Sequence, residues 1–184
     1  MAVPLLVLTA SGCANDTSAA DELVNESDSL RSSAVDKLRM STGSIDSLVR
    51  SAAAGQTLPV NQTKSMATAA VEDLNNALAD LTARDRDLSA ASELQLNDNY
   101  LEYLKLMREN NDKLIETVNA ALEIPRLLEK EQYSLAGWDE IRTQEVVKQI
   151  YSIQDRIEQL NFESELLRSR AEQIRSDNPK DFGA

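Results

Sequence analysis

The stretch Glu145-Val146-Val147-Lys148-Gln149-Ile150-Tyr151-Ser152-Ile153-Gln154-Asp155-Arg156-Ile157-Glu158-Gln159-Leu160 sets Val146, Ile150, Ile153, Ile157 and Leu160 at alternating steps of four and three residues. The same spacing continues through Leu167, Ala171 and Ile174, interrupted by Ser164 alone. Steps of four and three keep side chains on one face of an α-helix, because 3.5 residues per turn is close to the helical 3.6. The remaining faces carry Arg142, Glu145, Lys148, Asp155, Arg156, Glu158, Glu163, Glu165, Arg168 and Glu172, as a solvated surface should. A strand would need apolar and polar residues to alternate, and none of this stretch does so. It predicts one long amphipathic helix, from about Trp138 to Asp177, with a heptad seam.

Working back along the chain, the same periodicity recurs. Leu104, Met107, Leu114, Val118, Ala121 and Leu128 form a seam from about Glu93 to Gln132, widened by Leu101, Ile115, Leu122 and Leu127. Ser92 followed by Gln95 has capping-box spacing and predicts a fresh helix start there. Pro125 lies within the pattern and predicts a kink near residues 121–124, since proline lacks the N–H that the ladder needs. Upstream, Ala67, Val71, Leu74, Leu78, Leu81 and Leu88 line a helix expected to begin at Asn61 as its cap. A first helix, about residues 19–54, is lined by Leu23, Leu30, Ala34, Leu38, Ile45, Leu48 and Ala52, with Gly55 as its stop.

Four amphipathic helices with short connections predict an all-α, elongated, antiparallel up-down-up-down four-helix bundle. The alternative is three long helices, with residues 61–132 continuous through Arg84-Asp85-Arg86-Asp87, where no glycine or proline interrupts the chain. Even topology brings the connections 54–60 and 133–138 to the same end, a distal tip carrying Leu58, Tyr133 and Trp138. These residues, with Tyr103 on the third helix, are the candidate partner surface, because large amphipathic rings are frequent contact anchors.

At the other end stands the sole cysteine, Cys13, preceded by Ser11-Gly12 and by the apolar run Ala2-Val3-Pro4-Leu5-Leu6-Val7-Leu8-Thr9-Ala10. Small residues before a lone cysteine at the end of a short apolar segment resemble the lipobox of bacterial lipoproteins. That resemblance implies lipidation of Cys13 after removal of residues 1–12 as a signal peptide, and a place on the extracytoplasmic side of a bacterial membrane in the cell envelope. The apolar run is too short for a membrane span, which needs roughly 20 residues. Residues 1–8 hold no Lys or Arg, whereas a secretory leader opens on basic residues, so a start codon further upstream is the expectation. The expected organisation is a leader over 1–12, a lipidated polar tether over 13–18, the bundle over 19–177 and a tail over 178–184.

Composition narrows the chemistry. The chain has 184 residues and a formal net charge of -12. An acidic surface with no basic run longer than Arg168-Ser169-Arg170 repels phosphates and argues against nucleic-acid binding. Histidine is absent, which removes Ser-His-Asp and Cys-His catalysis, HExxH zinc sites and the Glu-x-x-His pairs of di-iron bundles. Asn97-Asp98-Asn99 offers oxygen donors but lacks the glycine and glutamate offsets of a calcium loop. No cofactor, metal or catalytic residue is expected.

One polar group interrupts the third seam: Asn111, between Met107 and Leu114. A polar residue in a core layer commonly sets register, and it would pair with Ser164 or Ser41 on a facing helix; replacement by Leu should then raise the melting temperature. The functional expectation is a non-enzymatic envelope lipoprotein, a membrane-tethered bundle that scaffolds or regulates other envelope proteins. The alternatives are an extracytoplasmic small-ligand sensor with a polar site near Asn111 and, last, a carboxylate-dependent enzyme. Heptad seams also pair between chains, so a homo-oligomer is a possible state.

Overall fold

A computed structural model describes residues 12–56, 59–131 and 140–182. Four helices follow in order: α1 (Gly12–Ala53), α2 (Val60–Ser92), α3 (Asp98–Lys130) and α4 (Glu140–Asp177), and a 3-10 turn, Pro179–Phe182, comes after α4. They pack as an all-α, up-down-up-down four-helix bundle. The start of α1 (Ala20, Val24), the end of α2 (Leu88, Ala91), the start of α3 (Tyr100, Tyr103) and the end of α4 (Ala171) share one apolar cluster. Ala52, Ala67, Leu128 and Val146 belong to the cluster that fills the rest of the rod. Helices of 33 to 42 residues at about 1.5 Å per residue are about 50 to 63 Å long.

The first two helices form an antiparallel coiled coil of unusual regularity. Buried positions in α2 are Thr63, Ala67, Ala70, Leu74, Ala77, Leu81, Arg84, Leu88 and Ala91, an unbroken alternation of four and three. In α1 the matching series runs Ala20, Val24, Ser27, Arg31, Ala34, Leu38, Ser41, Ile45 and Leu48. Alanine at alternate layers brings the two backbones close, and α1 packs along α2 more intimately than any other pair. The periodicity had placed Leu23 and Leu30 in α1, and Val71 and Leu78 in α2, on the seam; all four are half-buried flanks.

Helix ends account for the remaining differences. Gly55, at φ 72°, ends α1 as expected, with Gln56 N–H donating to the Ser51 carbonyl and Gly55 N–H to Ala52, both at 3.0 Å; this is a Schellman closure. Asn61 is not the cap of α2: the helix starts at Val60 after Pro59, whose carbonyl accepts from Gln62 and Thr63. The break between α2 and α3 exists, which sets aside the three-helix alternative, but it spans residues 93–97 and Ser92 is not its cap. Ser92 Oγ donates back to Leu88 within α2, and the cap is Asn97, whose side chain accepts from Tyr100 N–H at 2.9 Å. Pro125 lies buried inside a helix that runs on to Lys130.

Both expected termini of the bundle shift. Helix α1 already includes residues 13–18, so the stretch expected as a polar tether is helical backbone. Residues 178–182 are no loose tail. Phe182 is buried, stacked on Tyr100 at 4.6 Å and edge-on to Tyr103 at 5.3 Å. Asn97 and Asn99 side-chain amides donate to the backbone and carboxylate of Asp181 at 3.1 and 2.7 Å. The turn plugs the aromatic end of the rod.

Candidate functional site

Heptad spacing alone puts Arg84 at a core position of α2, between Leu81 and Leu88, and the packed bundle leaves it 0% exposed. Its Nη1 donates to Asn110 Oδ1 at 2.9 Å and to Asn111 Oδ1 at 3.3 Å. Those two adjacent residues of α3 then divide. Asn110 Nδ2 donates to Ser164 Oγ at 2.7 Å and to the Ser164 carbonyl at 2.8 Å. Asn111 Nδ2 donates to the Leu81 carbonyl at 3.0 Å. A polar layer thus crosses from α2 through α3 to α4 inside the core.

Helix α1 and the next turn of α4 add charge to it. Arg31 is buried on α1 and forms an ion pair with Glu165 of α4. Asp28, one turn earlier on α1, and Arg168, one turn past Ser164 on α4, are close enough to act electrostatically on Arg31 and Arg84. Burial lowers the Arg84 pKa to about 10, with Asp28 opposing the shift and Arg31 adding to it. Burial also lowers that of Arg31, with Arg168 adding to the effect. Both remain cations at neutral pH.

Several polar atoms here have no partner. Arg84 Nε and Nη2, Arg31 Nε, Arg168 Nε and Asp28 Oδ1 are buried without a hydrogen bond, while the buried Tyr103 hydroxyl interacts with Arg175. Burial pushes the Tyr103 hydroxyl up to about 12, with the negative charge of Asp28 adding to the effect. Tyr100, whose hydroxyl donates to Asp21 at 2.7 Å, is raised further, first by burial and then by that bond. An unpaired buried donor costs about 1–3 kcal/mol, so such a concentration is unusual in a folded core.

The structure disposes of the sequence candidates unevenly. Asn111 and Ser164 are both buried, but Asn110, which periodicity did not single out, is the partner of Ser164. Ser41 is buried with its hydroxyl unpaired and takes no part in the Asn111 network. Tyr103 is not a partner surface: it is 0% exposed, covered by Phe182 and facing the polar layer. Leu58, Tyr133 and Trp138 lie outside the described residues. Cys13 lies near the start of α1. Arg84 and Arg31 were missed because charge outweighed position in the reading; the signal was their four-and-three spacing from Leu74, Leu81 and Leu88, and from Ala20 and Val24.

A second feature was also missed. Helix α4 exposes Tyr151 (42%), Phe162 (70%) and Leu166 (52%), eleven and then four residues apart, so all three fall on one outward face. Beside Leu166, a groove of about 450 Å³ between α3 and α4 is floored by Leu167 and rimmed by Glu109, Asp112, Glu116, Glu163 and Lys113. Among the described residues, no three His, Cys, Asp or Glu side chains group to hold a metal ion, and no helix is long and apolar enough to cross a membrane. Compared with known proteins, the chain matches no family model, no curated protein and no solved structure.

Proposed function

We propose that this chain is a non-enzymatic lipoprotein of the bacterial envelope, anchored through Cys13, whose bundle docks another envelope protein on the outer face of α4. The observation that carries the docking reading is the apolar pair Phe162 and Leu166 standing in solvent beside an acid-rimmed groove. A soluble bundle buries its large apolar side chains; a Phe left 70% exposed with a Leu one turn away supplies the kind of anchor that dominates interfaces. Four carboxylates against one lysine at the groove select a partner that offers an apolar anchor flanked by Lys or Arg. They also disfavour pairing of this face with a second copy. With α1 helical from Gly12, a lipid on Cys13 would hold the aromatic end of the rod close to the membrane.

The test has two arms. Mass analysis of the mature protein from bacterial membranes should find residue 13 diacylated and N-terminal; an intact leader with a free thiol would remove the anchor. A photocrosslinker at residue 162 should give one stoichiometric adduct in intact cells, lost in Leu166→Glu, with helicity unchanged. An adduct unaffected by Leu166→Glu would overturn the docking face. A second reading, a small-ligand sensor, is favoured by one observation: the unpaired edge of Arg84 inside the bundle.

A further inference from the structure

Two hollows open on the outside of the bundle between α3 and α4, the one beside Leu166, of about 450 Å³, and a second of about 320 Å³. On α3, Glu109, Asp112, Lys113 and Glu116 at the first become Glu123, Arg126, Leu127 and Lys130 at the second. On α4, Glu163 and Leu167 become Gln149 and Ile153. Each of these pairs is separated by two heptads, and residues two heptads apart share a face of a bundle helix. The hollows are therefore the two ends of one straight groove. From Gln149 to Leu167 it runs about 27 Å, at about 1.5 Å per residue.

The two ends carry opposite charge. At the first, Lys113 is held by Glu116 and Glu163 at 3.2 and 3.1 Å, which leaves carboxylate in excess. Burial raises the Asp112 carboxyl above its ordinary range, with Asp85, Glu116 and Glu109 adding to the effect against Arg108. At the second, Glu123 is taken up by Arg156 of α4 at 3.1 Å. Arg126 and Lys130, both exposed, leave positive charge in excess there. The floor is apolar at both ends, with Leu167 at one and Leu127 and Ile153 at the other. Tyr151, Phe162 and Leu166 stand exposed on α4 beside it.

A straight groove between two antiparallel helices, apolar on its floor and charged on its rims, is the shape that an amphipathic helix fills. Strand addition needs an open sheet edge, and the described residues contain no strand. We propose that the α3–α4 groove seats one amphipathic helix of another envelope protein, about five turns long. Its Lys- or Arg-bearing end lies over Glu109, Asp112 and Glu116, and its Asp- or Glu-bearing end over Arg126 and Lys130. Charge at the two ends of the groove thus sets the direction of the guest. This rests on the docking reading for α4 and names the element docked and its orientation.

The probe is a synthetic peptide of about 18 residues, long enough to span the groove as a helix, with Leu at helical spacing, Lys flanking its first half and Glu its second. Fluorescence anisotropy with the full chain should show saturable binding. A peptide of the same composition, scrambled so that its leucines no longer share a face, should bind at least about tenfold more weakly. A benzophenone at the Lys end should crosslink within 109–116 or 163–167, and one at the Glu end within 123–130 or 149–153. Reversing the acidic rim with Glu109→Lys and Asp112→Lys, both on the exposed side of α3, should weaken binding by about tenfold at low salt with helicity unchanged. Should that variant not fold, the crosslink map of the unaltered chain decides. Absent binding, equal binding of the scrambled peptide, or crosslinks that do not separate by end would each overturn the proposal. A peptide that fails while the residue-162 adduct forms in cells removes the helix and leaves docking on α4 standing; a missing adduct removes the docking reading itself.

Discussion

Asn111 was expected to be a removable register device, with replacement by Leu raising the melting temperature. Its contacts reverse that sign. Asn111 accepts from a fully buried arginine and donates to the Leu81 carbonyl, so Asn111→Leu withdraws an acceptor from a charge with no route to water. Urea unfolding should show a loss of about 1–3 kcal/mol. Combining it with Arg84→Met should cost less than the sum of the single changes, because the stranded charge leaves with its acceptor. The tyrosines make a second prediction at this scale. Folded Tyr103 keeps its proton up to about 12 and Tyr100 beyond that, whereas unfolded tyrosines release theirs near about 10. The folded state then binds more protons, so stability falls as pH rises above about 10. Arg84, lowered to about 10 from 12.5, and Arg31, also lowered by burial, act oppositely and temper the decline. Thermal melts above pH ~10 should decline, and Tyr103→Phe should flatten that decline.

At the scale of elements, the α1–α2 pair depends on how small its seam is. Ala70 and Ala77 alternate with Leu74 and Leu81 on α2, and both alanines are buried. Ala77→Leu adds volume where the backbones approach and should destabilise by about 1–3 kcal/mol, read from the shift of the urea midpoint. The same change at exposed Ala79 should be close to neutral. The 3-10 turn is equally specific in its effect. Phe182→Ala removes the ring that caps Tyr100 and Tyr103 and should lower stability by about 3 kcal/mol. Hydrogen exchange should then rise first at the ends of the helices that meet there, where Ala20, Ala91 and Ala171 share the aromatic cluster.

For the molecule as a whole, the heptad seams of the described residues pack within the chain, and the apolar face of α4 at Phe162 and Leu166 is bordered by carboxylates. Two copies presenting that face would bring like charges together. The unlipidated protein, 20.3 kDa as the full chain, should therefore sediment as a monomer at micromolar concentration. A concentration-dependent dimer that survives Leu166→Glu would show that another surface pairs.

Periodicity, glycine placement and the absence of strand patterning determined that this chain is a bundle of long helices, because a four-and-three repeat has only one regular structure that buries it. They located the α2–α3 break to within a few residues and the α1 stop at Gly55. What they could not determine was which polar residues the bundle would enclose. Arg31 and Arg84 read as surface charges in one dimension and are core residues in three, since burial is set by the neighbouring helices. The same holds for Tyr103, hidden by a ring 79 positions further on, and for Phe162, exposed because none of the described helices covers that side of α4. Local sequence dictates a helix and its stripe; only the packing of the others against it decides which side of each charge and each ring meets water.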